Sequence, residues 1–100
     1  MRVAQVIGRA TVSIIDPSLK GGRWLLCNPI DKEHFNTACT KTPPISSQST
    51  LVAYDKLGAG VGDIVGVVEG SEATAPFEGW VPLDAITVAI FDSLHFQPVP

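Results

Sequence analysis

Charge is scarce in this 100-residue chain: Asp, Glu, Lys and Arg together make up 17% of it, where an ordinary soluble domain carries about 25%. Seven basic residues stand against ten acidic ones, for a formal net charge of −3. No window gathers the basic residues into a cluster, which argues against a nucleic-acid surface, because that affinity rests on grouped Lys and Arg. Cysteine is nearly missing too. Cys27 and Cys39 are too few for a disulfide framework. They lie twelve apart with no C-x-x-C pair, so the zinc signature is absent. No apolar run approaches the roughly 18 residues needed to span a membrane. Strand-like alternation from Arg2 onward leaves no room for an apolar leader. These absences together predict a reduced, cytosolic protein with neither nucleic acid nor membrane as its partner.

What remains is apolar. Hydrophobic residues reach 45% and glycine adds nine more positions, in a chain long enough for one domain spanning 1–100. A lone domain of this size buries only about 60–65% of the surface its unfolded chain exposes. So much apolar surface with so little charge implies that part of the exterior is covered by copies of the chain or by a partner.

The chain reads as strands and corners. From Arg2 to Ile15, Ala4, Val6, Gly8, Ala10, Val12 and Ile14 alternate with Gln5, Arg9, Thr11 and Ser13, the pattern of a half-buried strand. Gly8 offers a place for that long strand to bend. DPSLKGG (16–22) is turn chemistry, and WLLCNPI (24–30) is a second strand limited by Pro29. Residues 31–50 lack periodicity, hold Pro43-Pro44 and a Ser/Thr cluster, and read as a long surface loop with a few paired residues around Phe35. TLVAYDKL (50–57) and DIVGVVEG (63–70) are the third and fourth strands. SEATAPFEGW (71–80) predicts a short helical turn capped by Ser71. DAITVAIFDSLHF (84–96) is a fifth strand, apolar on both faces and so expected to be covered on two sides. The fold class is therefore all-β: a small five-stranded, OB-like β-barrel with one short helix between strands four and five.

The segment that invites a chemical reading is GAGVGDIVGVVEG (58–70). Gly58, Gly60 and Gly62 give G-x-G-x-G, which is neither the dinucleotide fingerprint nor a Walker loop. Both of those also need a helix N-terminus behind the loop, and here a β-branched run follows. The glycines read as a strand-to-strand corner, with positive φ expected at Gly60. Cys27, His34, Cys39 and His95 show no metal-ligand spacing; Cys27 reads as a small core hydrophobe and His34 as a loop residue. Ser71 follows a glycine but lacks the G-x-S-x-G elbow. Asp55, Asp63, Asp84 and Asp92 flank strands, as turn-capping carboxylates do. No catalytic constellation, cofactor site or metal site is expected.

The order of features is specific as a set. The second half runs LGAGVGDIVGVVEGSEA, then an irregular stretch, then VPLDAITVAIFD; the first half opens M-x-x-A-x-V-I-G and continues Leu19-x-Gly21 and Leu25-Leu26. This resembles the pentamer-forming vertex proteins of bacterial microcompartments, of the CcmL/EutN type, over about 80 residues that leave out 31–50. The resemblance implies a barrel assembling as a homopentamer, which plugs the fivefold corners of a shell whose facets are hexamers, without chemistry. It implies that Gly58, Gly60, Gly62 and Asp63 shape one corner. Gly70 and Ser71 would start a segment near the neighbouring subunit or the central opening, and Asp84 and Asp92 would bracket the last strand. The chain departs at Thr74, where the family often carries Arg, so a contact made by that Arg is not implied here. A co-chaperonin-like ring is the second reading, since it shares the V-G-D-x-V corner. That family usually carries a long glycine-rich loop, for which residues 16–23 of this chain are too short, while residues 31–50 lack its aliphatic tripeptide and come late. An OB-fold nucleic-acid module is the third, hinted at only by Trp24 beside Arg23.

Overall fold

The computed structural model describes residues 1–97. The alternating segments form β1 (Arg2–Ala10), β2 (Arg23–Pro29), β3 (Leu51–Asp55), β4 (Ile64–Glu69) and β5 (Ala85–Phe91). They close into a barrel in the order β1-β2-β3-β5-β4. β1 pairs antiparallel with β2 along one edge and with β4 along the other. The register with β2 shifts between Val6 and Gly8, next to the glycine at which the sequence places a bend. The absent side chain at Gly8 matters there, because a Cβ would stand 3.1 Å from Leu26 Cδ1. β3 and β5 run parallel and meet through one pair, Tyr54 with Ile86.

Strand alternation divides the apolar residues between two cores. Ala4, Val6, Leu25, Cys27, Ala53, Val65 and Val67 fill the barrel interior. Tyr54 and Ile86 lie on the opposite strand faces, with Leu19, Ala73, Trp24 and Phe77 packed around them. Leu19 comes from a 3-10 turn at Pro17–Leu19, and Ala73 from another at Gly70–Thr74. These two turns put a second layer over the outside of the barrel. Trp24 packs edge-on to Tyr54, with ring centroids 5.3 Å apart, a geometry that adds about 0.5–1.5 kcal/mol beyond area burial. Trp24 is thus engaged in packing and does not form a free stacking platform.

Several local expectations change. The short helix between strands four and five is the 3-10 turn Gly70–Thr74, and Ser71 does not cap it: Glu69 holds the cap position, without a side-chain bond. The Ser71 carbonyl instead accepts from Thr74 Oγ1 at 2.7 Å. The α-helical turn of the chain, α1 (Phe35–Ala38), lies in the 31–50 loop, after a 3-10 turn at Lys32–His34. That loop is tied down. Buried Asn28 donates from Nδ2 to the Pro44 carbonyl at 3.0 Å and accepts from the Ser46 amide at 2.8 Å. β1 stops at Ala10, not Ile15, because its register with β2 ends at Ala10 opposite Trp24. β5 is covered on two sides only over Ala85–Thr87; Val88 and Ile90 stay 45% and 39% exposed.

Gly22 packs against the Tyr54 ring so closely that a Cβ there would sit 2.3 Å from Cε1 and Cζ. The fully buried Tyr54 cannot swing aside without dislodging the outer core. Gly22→Ala is therefore expected to lower stability by about 1–3 kcal/mol, as overpacked sites do. Urea denaturation measures it, and an unchanged midpoint would contradict this packing.

Candidate assembly surfaces

The glycine corner is held from inside. Asp55, at the end of β3 and 1% exposed, accepts from the Gly58 amide at 2.9 Å and the Ala59 amide at 3.1 Å. Asp63 accepts from the Gly60 amide at 2.8 Å. The Gly62 amide donates to the Val6 carbonyl, and the Val6 amide to the Asp63 carbonyl, both at 2.9 Å. The amides that a phosphate would need are spent on two carboxylates and on β1. The corner is a structural joint, as the sequence implied, but its strained positions are different. Gly58 and Gly62 carry φ of 92° and 96°. Gly60 is not at positive φ, and a Cβ there meets nothing within 4 Å.

The other singled-out residues fall in two places. Gly70, Ser71 and Asp84 converge on one open groove of about 410 Å³ that Thr74, Trp80 and Pro82 also line. The Gly70 amide donates to the Asp84 carbonyl at 2.8 Å, which closes the entry of the turn onto β5. Trp80, at the groove edge, is 83% exposed. Asp92 lies at the far end of β5, where Phe91 pairs with Ile64, the residue after Asp63.

The four Cys and His side chains do not gather. Cys27 is fully buried inside the barrel. Burial, and then the Asp55 charge, push its thiol up to about 11. Cys39 is half-buried in the loop after α1, and His95 is exposed beyond β5. His34 lies 3.8 Å from Asp31, and Glu33 joins them within 4.8 Å. Asp31 is already engaged by the Ser46 hydroxyl at 2.9 Å and by the Gln48 side-chain amide, so it serves to fasten the loop. Two contributors escaped the sequence reading. Asn28 looks like any strand-end polar residue, and Trp80 has no periodic neighbour to mark its exposure.

The exterior is unfinished for a monomer. Ile14 is 91% exposed, Ile45 70%, Val61 69%, and Val52 and Leu57 about half. The chain exposes 6367 Å², where a compact monomer of its mass, 10.6 kDa, would expose about 5500 Å². A barrel filled by its own side chains, with aliphatic residues left outside, has the build of a subunit in a larger assembly.

Comparison with known proteins agrees. The family described as ethanolamine utilisation protein EutN/carboxysome matches residues 1–92. The chain is 33% identical, over 90% of each chain, to the bacterial microcompartment shell vertex protein PduN of Salmonella typhimurium. It is 32% identical to the solved CcmL of Nostoc sp. PCC 7120, covering 95% of this chain and 93% of that one at a TM-score of 0.71. Against the GrpN pentameric microcompartment shell protein of Rhodospirillum rubrum the identity is 28%, the coverage 98% and 100%, and the TM-score 0.73. The chain belongs to the EutN/CcmL family of microcompartment vertex shell proteins.

Two measurements check these sites. Gly62→Ala is expected to lose about 1–2 kcal/mol, because a side chain at that φ is strained, while Gly60→Ala stays within about 0.5 kcal/mol. Equal denaturation midpoints for the two variants would contradict the corner geometry. Because the folded Cys27 thiol titrates above its ordinary 9.0, the unfolded chain ionises first. The stability this provides is whole below that value and drains as pH rises toward 11. At pH 8, alkylation of the native protein is expected to label Cys39 alone and of the denatured protein both thiols; native labelling of Cys27 would contradict its burial.

Proposed function

We propose that residues 1–100 form one vertex domain, which assembles as a homopentamer and caps the fivefold corners of a bacterial microcompartment shell in the cytoplasm. Its role there is structural and needs no cofactor. The observation that carries this reading is the near end-to-end match to a pentameric shell protein. The aliphatic side chains that the isolated chain leaves exposed support it. Geometry makes the role useful: a closed polyhedron tiled by sixfold units needs fivefold defects, so hexameric shell proteins are the proposed neighbours at each edge.

Within the ring, the groove at Gly70, Ser71 and Asp84 is placed toward an adjacent subunit or the central opening, where exposed Trp80 would be covered. The corner at Gly58, Gly60, Gly62 and Asp63, with Asp92 beside it, holds the barrel end that meets its surroundings. The co-chaperonin reading finds no support among these relatives, which are vertex proteins. A nucleic-acid role suits the surface poorly, since Trp80 is preceded by Glu72 and Glu78 and followed by Asp84, carboxylates that would repel phosphate.

Native mass spectrometry tests the assembly. Five copies of the 10.6 kDa chain are expected; seven, or a monomer at micromolar concentration, would overturn the proposal.

A further inference from the structure

The opening alternation runs through Ile15, yet β1 ends at Ala10. The composition of Thr11–Ile15 favours a strand, since Thr, Val and Ile supply four of its five residues, although in the isolated chain the backbone bends at Ser13–Ile14 and Ile15 packs against the outer core. What it lacks is a partner. The ladder with β2 ends at Ala10 opposite Trp24, and Val12 and Ile14 are left 44% and 91% exposed. A second unpaired edge lies at the seam between β3 and β5, whose pairing is confined to Tyr54 and Ile86. Beside that bridge opens a groove of about 440 Å³, lined by Tyr54, Lys56, Leu57, Phe77, Ile86 and Val88. Val52 and Ile90 continue its apolar surface at 50% and 39% exposure.

A strand-prone segment without a sheet and a sheet seam with a single bridge are complementary features on one molecule. We propose that Thr11–Ile15 of one copy of this chain adds as a strand at the outer β3–β5 seam of a second copy, with Ile14 seated in the groove. The inference rests on the homopentamer reading and names the two surfaces that meet in it. A cyclic ring closes only when each subunit offers two different patches, and the strand and the seam are such a pair. Strand addition satisfies backbone groups on both sides and lets alternate side chains choose the pocket. Charge is matched as well. Lys56 has no carboxylate partner among the described residues, and exposed Asp16 directly follows the donor segment.

Two variants and one cross-link test it. Ile14→Asp changes a side chain that the folded monomer leaves in water, so circular dichroism should be unchanged while the ring weakens at least tenfold in dissociation concentration. In a Cys39→Ser background, Ile14→Cys with Leu57→Cys is expected to give, on oxidation, an inter-subunit ladder ending at five. Ile45→Cys with Leu57→Cys should give none, although Ile45 is 70% exposed. A wild-type ring with an Ile14→Asp ring of equal stability, or with no ladder from the first pair, overturns this inference and leaves the pentamer standing. A wild-type chain that forms no ring overturns both.

Discussion

The carboxylate of Asp55 joins three parts of the chain that would otherwise scarcely touch. It ends β3, accepts from two amides of the glycine corner, and accepts from the Thr87 hydroxyl on β5. β3 and β5 share one backbone bridge, so closure of the barrel at this seam depends on side chains, and Asp55 with Thr87 is the polar tie across it. A carboxylate so deeply buried would be costly without donors; with three it becomes a specifying contact, because corner and strand must both be in place to satisfy it. Its charge also reaches Cys27 and adds to the burial that keeps that thiol protonated. Barrel closure, corner shape and an inert core cysteine thus follow from one group.

Much of this was legible in the sequence, and the limits are physical. Alternation placed five strands, because burial of one strand face forces period two whatever the neighbours are. It misplaced the end of β1, because a strand stops where its partner stops, and β2 begins at Arg23 for reasons set by the DPSLKGG turn. Glycines marked the corner but not which of them is left-handed. Gly58, Gly60 and Gly62 are alike in composition, and only the folded corner separates them: the Gly58 amide goes to Asp55, the Gly60 amide to Asp63 and the Gly62 amide to the Val6 carbonyl. The four strand-flanking aspartates were likewise equivalent on paper. Only folding buries Asp55 and leaves Asp84 and Asp92 in water. The 31–50 loop read as solvated, since its anchor, Asn28, lies outside it on β2.

The assembly surfaces were legible only as a surplus. Composition announced too much apolar area for too little charge, without saying where it lies. The barrel interior takes the small residues Ala4, Ala53 and Cys27 with Val6, Leu25, Val65 and Val67, and the outer layer takes Leu19, Tyr54 and Ile86. Val12, Ile14, Val52, Leu57, Val88 and Ile90 are left over. Val52, Val88 and Ile90 lie on strands, so their exposure is a property of the sheet; Val12, Ile14 and Leu57 lie in the segments that follow β1 and β3, and the exposed Ile45, Val61 and Trp80 lie in loops. In a monomer such edges invite indiscriminate pairing.

A ring resolves that hazard in a way a dimer would not. An isologous dimer must match one patch with itself, which leaves the second edge open. A heterologous ring spends both edges at every subunit and stops when it closes, so no strand edge remains to propagate into a filament. The number of subunits then depends on the angle between the two patches, which the barrel fixes through its rigid seam and bent β1. The same polar tie at Asp55 that shuts the barrel therefore also holds the seam at the angle on which closure at five depends.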